Sequence, residues 1–412
     1  MMDILPILST LKRHKTAAGL IVLQIALTCA IVANALFLIS ERLDLIGAPT
    51  GMADQELLVI GMAGVVRADN AEVQTRSDLR ALRDLAGVKS AVLVNQIPFG
   101  ASSYGSGLRT TPDPNKRGIS VSAYNAGEGW LETLGLRLVE GRDFEPAEYA
   151  DASAVFRDDA EPKVPAVIIN QRLAERLVPG RSALGQLVYL YGPDAPQRVV
   201  GVLERLPSPY LRGRDETDLH AVMLPIRSSY RGGSYVLRVA PEQRDAVLKT
   251  AVDTLVKGSV GTKRVVRNQR SLADMRADYY RQDRFMVGLL LAVCAAMLVV
   301  TAFGIVGLAS FWVQQRSRMI GTRRALGASR AQILRYFQTE NFLLSSIGIT
   351  LGMALAYGIN LLLMTQYELP RLPLLYLPIG ALLLWALGQL AVLGPARRAA
   401  ALPPMLVMRG LN

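Results

Sequence analysis

Histidine and cysteine are scarce, since 412 residues contain only two of each. His14 and His220 are too few for a histidine-based catalytic or metal cluster. Cys29 and Cys294 both lie in apolar runs, which indicates packing residues rather than a disulfide framework. The motifs C-x-x-C, H-E-x-x-H and G-x-S-x-G are absent, as is the Walker A sequence G-x-x-x-x-G-K-[ST]. We therefore expect no catalytic, cofactor-binding or metal-binding residues, and no P-loop ATP hydrolysis by this chain.

Charged side chains are absent from four long stretches. These apolar runs cover residues 17–39, 285–313, 342–364 and 374–394, and none contains Asp, Glu, Lys or Arg. A helix needs about 20 apolar residues to cross a bilayer, and a charge at membrane depth is costly. We therefore predict four transmembrane helices in a 1+3 arrangement, with a large segment at 40–284 between the first and the second.

Acidic residues are scarce where basic residues cluster. The net charge of the chain is +12, yet the segments 1–16, 314–341 and 395–412 together contain only Asp3 and Glu340 as acids beside twelve basic residues. Cytoplasmic flanks of membrane spans are enriched in Lys and Arg, so this distribution indicates topology rather than nucleic-acid binding. The twelve basic residues are Lys12, Arg13, Lys15, Arg316, Arg318, Arg323, Arg324, Arg330, Arg335, Arg397, Arg398 and Arg409.

This charge pattern predicts which segments share a side of the membrane. We expect residues 1–16, 314–341 and 395–412 in the cytoplasm, and residues 40–284 and 365–373 on the opposite side. A competing interpretation is that the first apolar run belongs to a signal peptide cleaved after Ala33-Asn34-Ala35. The length of that run, which continues to Ile39, favours a membrane helix.

The segment 40–284 alternates strand-like and helical patterns, so we expect a folded α+β domain. A β-α-β pattern at each end predicts one split subdomain, built from 50–100 and 230–270, with an insertion at about 120–225. In the insertion, Asn170 is a predicted helix N-cap and Trp130 a predicted core residue. The predicted strands are 55–62, 88–99, 197–206, 234–240 and 262–268, the predicted helices 75–87 and 241–258, and the predicted loops 100–115 and 194–197.

The segment 316–337 contains six arginines and no acid between two apolar runs. We predict a short helix over 314–326 that ends at Gly327, with Ile320 and Leu326 against lipid and the arginines facing water. Ser329 is a predicted N-cap, and Gln332 completes a capping box at the start of a helix that continues into the third span. The result is a helix–break–helix turn with a basic face.

Two interpretations of this turn remain open on composition alone. The arginines fix topology and bind anionic headgroups, which contributes about 1 kcal/mol per residue near the surface. Alternatively, the turn is a docking element for a cytoplasmic protein. The capping residues favour a defined shape over a loose basic loop.

The stretch 315–356 resembles the permease domain shared by FtsX, LolC, LolE and MacB, whose pattern is R-x-R-E-I-G-x-x-[RK]-A-[LM]-G-A-[ST]. Met319 stands where the family pattern has glutamate. Residues 394–410 resemble the family's closing segment, and 124–144 and 164–180 resemble the MacB-type periplasmic domain. The pattern falls on Arg316, Arg318, Ile320, Gly321, Arg324, Ala325, Leu326, Gly327, Ala328 and Ser329.

The resemblance implies a type VII ABC transporter permease in a bacterial inner membrane, with both termini cytoplasmic and a large α+β periplasmic domain. It implies that the turn couples the permease to an ABC ATPase and that the permease acts as a homodimer or heterodimer. Because about 16 residues precede the first span, we expect the ATPase, with its ATP and Mg²⁺, on a separate chain. The expected coupling residues are the ten above together with Met319 and Arg323.

The expected function is mechanotransmission, in which ATPase motion reaches the periplasmic domain and exports periplasmic cargo through an adaptor and an outer-membrane channel. Two alternatives stay open: lipoprotein extraction in the manner of LolC or LolE, and FtsX-like regulation of a periplasmic hydrolase. Gly348, Gly352 and Ala356 form a small-x-x-x-small row on the third span. This row is a candidate helix interface, either within one subunit or between subunits.

Overall fold

A computed structural model describes residues 15–65, 70–100, 102–113, 115–156, 164–209, 220–259, 263–367 and 371–401. The chain divides into two compact units. We call Ala48–Arg281 the central domain and the remainder, on both sides of it in sequence, the membrane unit. Lys12, Arg13, His14 and Arg409 lie outside the described residues.

The central domain contains a four-stranded antiparallel sheet drawn from both of its ends. Its strands are ordered β13-β1-β12-β2, so each strand from one end of the domain lies beside a strand from the other. This interleaving is the split β-α-β arrangement, and it joins the two halves that the sequence predicts as one subdomain. The strands are β1 (Leu57–Gly64), β2 (Val88–Val94), β12 (Ser234–Val239) and β13 (Arg264–Ser271).

Two helices pack on this sheet, α2 (Ala71–Arg83) and α6 (Arg244–Lys257). Leu82 of α2 and Leu255 of α6 are fully buried in one cluster with Leu237 of the sheet. The helix predicted over 75–87 begins and ends four residues earlier. Gly87 lies instead in the turn to β2, where its φ of 89° favours glycine.

The inserted subdomain is built around a second sheet of seven strands, with the order β3-β4-β10-β7-β9-β5 and β8 paired to β9. The pairs β10–β4 and β7–β9 are parallel, whereas β10–β7 is antiparallel. The strands are β3 (Gly105–Leu108), β4 (Ile119–Asn125), β5 (Leu138–Gly141), β7 (Ala166–Asn170), β8 (Leu187–Tyr189), β9 (Pro196–Leu203) and β10 (Ala221–Leu224).

Short elements complete the inserted subdomain. A two-stranded sheet pairs β6 (Ala150–Asp151) with β11 (Ile226–Arg227). Its helices are α3 (Trp130–Leu134), α4 (Ala152–Val155) and α5 (Gln171–Leu177). Outside the inserted subdomain, α7 (Leu272–Tyr279) follows β13.

Several local predictions for the inserted subdomain are tested by these elements. Asn170 caps α5, because its side chain accepts a hydrogen bond from the Leu173 amide at 3.1 Å. Trp130 is fully buried. The prediction of a continuous loop over 100–115 is wrong, because β3 pairs with β4 through backbone bonds that its Gly/Ser-rich sequence does not prevent. The loop predicted at 194–197 is likewise wrong in part, since β9 begins at Pro196.

The membrane unit has four helices long and apolar enough to cross a membrane among the described residues. They are α1 (Lys15–Gly47), α8 (Arg281–Gln315), α10 (Arg330–Tyr367) and α11 (Tyr376–Ala401), and a short α9 (Ser317–Ala325) lies between α8 and α10. Each helix is longer than its apolar run, because helical hydrogen bonding continues into the polar residues at the ends.

The small-residue row lies against α1 of the same chain. A Cβ built on Gly352 would lie 2.5 Å from the Cβ of Cys29, and one on Gly348 would lie 2.9 Å from the Cβ of Ile25. Even an alanine side chain would therefore clash at both positions. Ala356 is fully buried on the same face of α10. The close approach of the two backbones is what small residues permit in membrane helices. Within one chain, the row thus packs against α1.

Polar contacts join α1 to α8 as well. The hydroxyls of Thr28 and Thr301 are 2.8 Å apart and buried, and the Gln24 amide donates to the Val300 carbonyl at 3.1 Å. Arg42 and Asp283 form an ion pair at the ends of these helices. Hydrogen bonds of this kind hold membrane helices together where burial of apolar surface gives little net driving force.

Candidate functional site

The turn between α8 and α10 has a defined backbone. α8 ends at Gln315, and after the break at Arg316 the short α9 runs to Ala325. The Ala328 amide donates to the Arg323 carbonyl at 3.0 Å and the Gly327 amide to the Arg324 carbonyl at 3.2 Å. This pair of bonds is a Schellman motif, and the φ of 97° at Gly327 is the conformation that it requires of the residue after the C-cap.

The start of α10 is capped by its own sequence. The Ser329 hydroxyl accepts from the Gln332 amide at 3.2 Å, and the Gln332 side chain accepts from the Ser329 amide at 2.8 Å. This reciprocal arrangement is the capping box that the sequence predicts. Together the two caps satisfy backbone groups at both sides of the break, so the turn has one specified geometry rather than a range of loop conformations.

A buried ion pair lies at the base of the turn and joins it to α10. Nη1 of Arg316 donates to both carboxylate oxygens of Glu340, at 3.0 and 2.8 Å, and the two side chains are only 8% and 1% exposed. The guanidinium also lies 5.3 Å from the ring centre of Trp312. The prediction that the arginines of this turn face water is therefore wrong for Arg316, because Glu340 on α10 supplies a buried counter-charge.

Ile320 is the apolar anchor of α9. It is 4% exposed and packs with Val313 of α8, with Ile333 and Phe337 of α10, and with alanines of α11. The prediction that Ile320 rests against lipid is wrong, because three helices of the same chain surround it. Gly321 beside it is also buried, and Ala328 is half-buried against the same cluster.

The outer surface of the turn is apolar at its tip and basic around it. Leu326 is 84% exposed and Met319 is 40% exposed. The Arg323 guanidinium lies 5.2 Å from the ring centre of Tyr336, and Nη1 of Arg324 donates to the Ala328 carbonyl at 3.3 Å. Both contacts restrain cations on the face of the turn. Its other exposed residues are Arg318, Thr322, Ala325, Gly327, Ser329 and Arg330.

This surface is suited to binding rather than to bond chemistry. In the part of the chain that the structure describes, there is no group of three or more His, Cys, Asp or Glu side chains that could hold a metal ion. The turn offers instead a projecting leucine on a rigid, capped support, surrounded by guanidinium groups that suit an acidic or polar partner surface. Sequence reasoning missed Glu340 as a member of this site, although a single acid beside an apolar run was the available signal.

Comparison with known proteins agrees with this architecture. Residues 21–255 match the family described as MacB-like periplasmic core domain, and residues 291–404 match the family described as FtsX-like permease C-terminal. The first match covers more than half of the chain. The protein is thus a membrane permease with a MacB-like α+β domain between its first and second membrane helices. It belongs to the MacB-like family of ABC transporter permeases.

Relatives of known name share this arrangement at low identity. The chain is 23% identical over 339 residues to the uncharacterized ABC transporter permease YknZ of Bacillus subtilis, covering 81% of this chain and 79% of YknZ. It is 27% identical over 382 residues to the macrolide export ATP-binding/permease protein MacB of Rhodospirillum rubrum, covering 89% of this chain and 54% of that protein. The chain therefore spans about half the length of this MacB relative.

Two solved structures resemble part of the chain. The extracellular domain of YknZ matches with a TM-score of 0.32 and 18% identity, over 51% of this chain and 100% of that domain. The periplasmic region of MacB from Actinobacillus actinomycetemcomitans matches with a TM-score of 0.35 and 15% identity, over 58% of this chain and 98% of that region.

Proposed function

We propose that this permease transmits motion from an ABC ATPase to its central domain, and that the turn at 316–329 is where the ATPase docks. The observation that carries the proposal is the exposed Leu326 on a turn held by two helix caps, by the Arg316–Glu340 pair and by the Ile320 cluster. A rigid turn moves as one body when it is displaced. A force applied at Leu326 therefore reaches α8 and α10 rather than being lost in a flexible loop.

The ATPase partner is assigned outside these 412 residues. We propose that ATP and Mg²⁺ bind an ABC ATPase on a separate chain, and the absence of a Walker A motif from these residues supports this proposal. In this proposal the turn and both termini face the cytoplasm of a bacterial inner membrane, and the central domain lies on the periplasmic side. The basic residues that flank the spans support this orientation.

Two permease subunits act together in the proposed assembly. A homodimer and a heterodimer with a homologous permease both fit the sequence. Met319 is compatible with both, although it replaces the glutamate of the family pattern and is exposed on the turn. A thioether cannot form the ion pair that a glutamate would, so this copy contacts its ATPase through apolar surface at that position.

The proposed cargo lies on the periplasmic side. Relatives in the MacB family are named macrolide export proteins, which supports export of a compound by this permease. An adaptor protein and an outer-membrane channel would complete the path, with the central domain moving the cargo toward them. Lipoprotein extraction and control of a hydrolase are the alternatives that a cargo assay would detect.

The docking proposal is tested by co-purification of the tagged full-length chain with its ATPase in a mild detergent. We expect wild type to retain a P-loop ATPase. The amount recovered with Leu326→Asp should be at least about tenfold lower, because a desolvated charge replaces a buried apolar contact. Charge reversal at Arg323 should weaken recovery in a salt-dependent manner. Recovery of equal amounts of ATPase with wild type and Leu326→Asp would contradict the proposal.

The matched control for charge reversal is Arg267→Glu. Arg267 is an exposed residue of β13 in the central domain, so its replacement changes net charge equally without touching the turn. We expect normal ATPase recovery with this variant. A loss equal to that of Arg323→Glu would mean that overall charge, rather than the turn, controls recovery.

A further inference from the structure

A cleft of about 420 Å³ lies within the central domain, where the split subdomain meets the inserted subdomain. One wall is formed by α2 and β2, and the other by β6, β11 and the loop that contains Gly127 and Glu128. Ligand sites of 300–1,000 Å³ occur preferentially at junctions of this kind. The position and the volume are those of a small-molecule site.

The cleft combines an apolar floor with a basic wall. Leu79, Val92 and Leu93 line the floor, where Leu79 is partly exposed and the other two are buried beneath it. Above them, Arg76, Arg80 and Arg83 occupy one face of α2, since residues three and four positions apart lie side by side on a helix. The site thus presents apolar surface and guanidinium groups to the same volume.

Most of the charged side chains that line the cleft already have partners. Arg76 lies 3.3 Å from Asp151, and Arg227 forms an ion pair with Glu128. Glu72 accepts hydrogen bonds from the amide and the hydroxyl of Ser153, at 2.9 and 2.8 Å. These contacts account for all three carboxylates that line the cleft.

Two guanidinium groups remain without a carboxylate partner in the described part of the chain. Arg83 donates Nε and Nη2 to the Ala91 carbonyl, at 3.0 and 2.8 Å, so its position is fixed but its charge is not neutralised. Arg80 is exposed and makes no ion pair or side-chain hydrogen bond with described residues. The positive charge of Arg83 also acts on the carboxyl of Glu128. Burial raises the pKa of that carboxyl, but the hydrogen bond from Arg227 and the charges of Arg227 and Arg83 outweigh it, and the net pKa is lowered.

We propose that this cleft binds a small organic carboxylate with an apolar body, whose carboxylate pairs with Arg80 and Arg83 and whose apolar part covers Leu79. Guanidinium groups match carboxylate geometry and form charge-assisted hydrogen bonds with it. The apolar floor favours such a ligand over a bare inorganic anion. The proposal does not depend on ATPase docking at the turn at 316–329.

Peptides and fatty acids share this chemistry, so the test includes both. The full-length chain in lipid nanodiscs is dialysed to equilibrium against radiolabelled N-acetyl-leucyl-leucine or octanoate, with protein-free nanodiscs as the blank. We expect saturable binding of at least one probe at one site per chain. The amide of that probe should bind at least about tenfold more weakly, because it cannot form the charge-assisted bonds. The probe that binds more tightly indicates whether the ligand is a peptide or a fatty acid.

Variants decide whether binding occurs in the cleft. Arg80→Gln should weaken binding of the carboxylate about tenfold, since it removes one charged donor without disturbing a described contact. Lys249→Gln on α6 makes the same charge change at an exposed residue outside the cleft, and should leave binding unchanged. Absence of saturable binding by both probes, equal affinity for acid and amide, or equal effects of the two variants would each overturn the proposal.

Discussion

Arg316 and Glu340 are 24 residues apart, yet Nη1 of the arginine lies within 3.0 Å of both oxygens of the glutamate in a buried position. Arg316 lies between the end of α8 and the start of α9, and Glu340 lies on α10. The pair therefore joins the two long helices directly across the turn at 316–329. It gives the turn a fixed base that the exposed caps alone would not supply.

Removing one partner of this pair should be strongly destabilising. Glu340→Gln leaves the guanidinium of Arg316 buried without a counter-charge, which costs about 3–5 kcal/mol in comparable buried pairs. We expect a lower midpoint of thermal unfolding for the purified full-length chain. Trp312, which lies against Arg316, provides a fluorescence signal for that measurement.

The double variant Arg316→Met with Glu340→Leu is the control for this prediction. Replacing both charges by apolar side chains of similar size is often neutral or stabilising, so its unfolding midpoint should return close to that of wild type. A double variant as unstable as Glu340→Gln would mean that the packing of the wild-type side chains, rather than the unpaired charge, determines stability.

The conformation of Gly327 leads to a second prediction. A Cβ at this position meets no atom within 4 Å, but its φ of 97° is strained for any residue with a side chain. Gly327→Val should cost about 1–3 kcal/mol of local strain, which shifts the turn away from its native shape. We expect weaker recovery of the ATPase with a decrease of only about a few degrees in the thermal midpoint. Gly327→Asn should be milder, because asparagine tolerates positive φ.

Gly307→Val provides a matched control in the adjacent helix. A Cβ at Gly307 also meets no atom within 4 Å, and this residue lies in the regular part of α8. The same substitution there adds the same side chain without a positive φ. Equal loss of ATPase with both variants would show that added bulk, not backbone strain at the turn, is responsible.

Local signals in the sequence predicted the features of the turn and of the central domain that depend on neighbouring residues. The Ser329–Gln332 capping box, the stop at Gly327 and the Asn170 cap are each specified within a few positions, and the structure contains all three. The four long helices were equally predictable, because about 20 apolar residues without charge leave few alternatives.

Contacts between distant residues were not predictable in the same way. The burial of Ile320 depends on α11, and the pairing of Arg316 depends on a side chain on α10. Helix periodicity describes one helix and cannot indicate which face a later helix will cover. The strand at Gly105–Leu108 was missed for a related reason, since its backbone pairing with β4 overrides a composition typical of loops.

The packing of α10 on α1 leads to a third prediction. A Cβ at Gly352 would lie 2.6 Å from the Ala26 carbonyl oxygen as well as against Cys29, so Gly352→Ala should lower stability by about 1–3 kcal/mol through overpacking. Gly358→Ala, on the same helix with no atom within 4 Å of the added Cβ, should be neutral. If Gly352→Ala left stability unchanged but dissociated a dimer, the row would instead contact a second subunit.

A fourth prediction concerns alkaline pH and the core of the split subdomain. The Tyr235 hydroxyl donates to Asp78, which also forms a buried ion pair with Arg264. Burial, followed by the charge of Asp78, raises the pKa of Tyr235 well above its ordinary value. The folded chain therefore keeps this proton at a pH where the unfolded chain has lost it. Its contribution to stability is complete below about pH 10 and falls as the pH rises further.

Urea unfolding of the full-length chain in detergent, repeated in steps above about pH 10, measures this dependence. Tyr235→Phe should be less stable at neutral pH, because it loses the hydrogen bond to Asp78. Its stability should then decline less steeply with pH than that of wild type, by up to about 1.4 kcal/mol per pH unit for one proton. Tyr104→Phe, at an exposed tyrosine, controls for the loss of a phenol. Parallel declines in wild type and Tyr235→Phe would show that Tyr235 ionises alike in the folded and the unfolded chain.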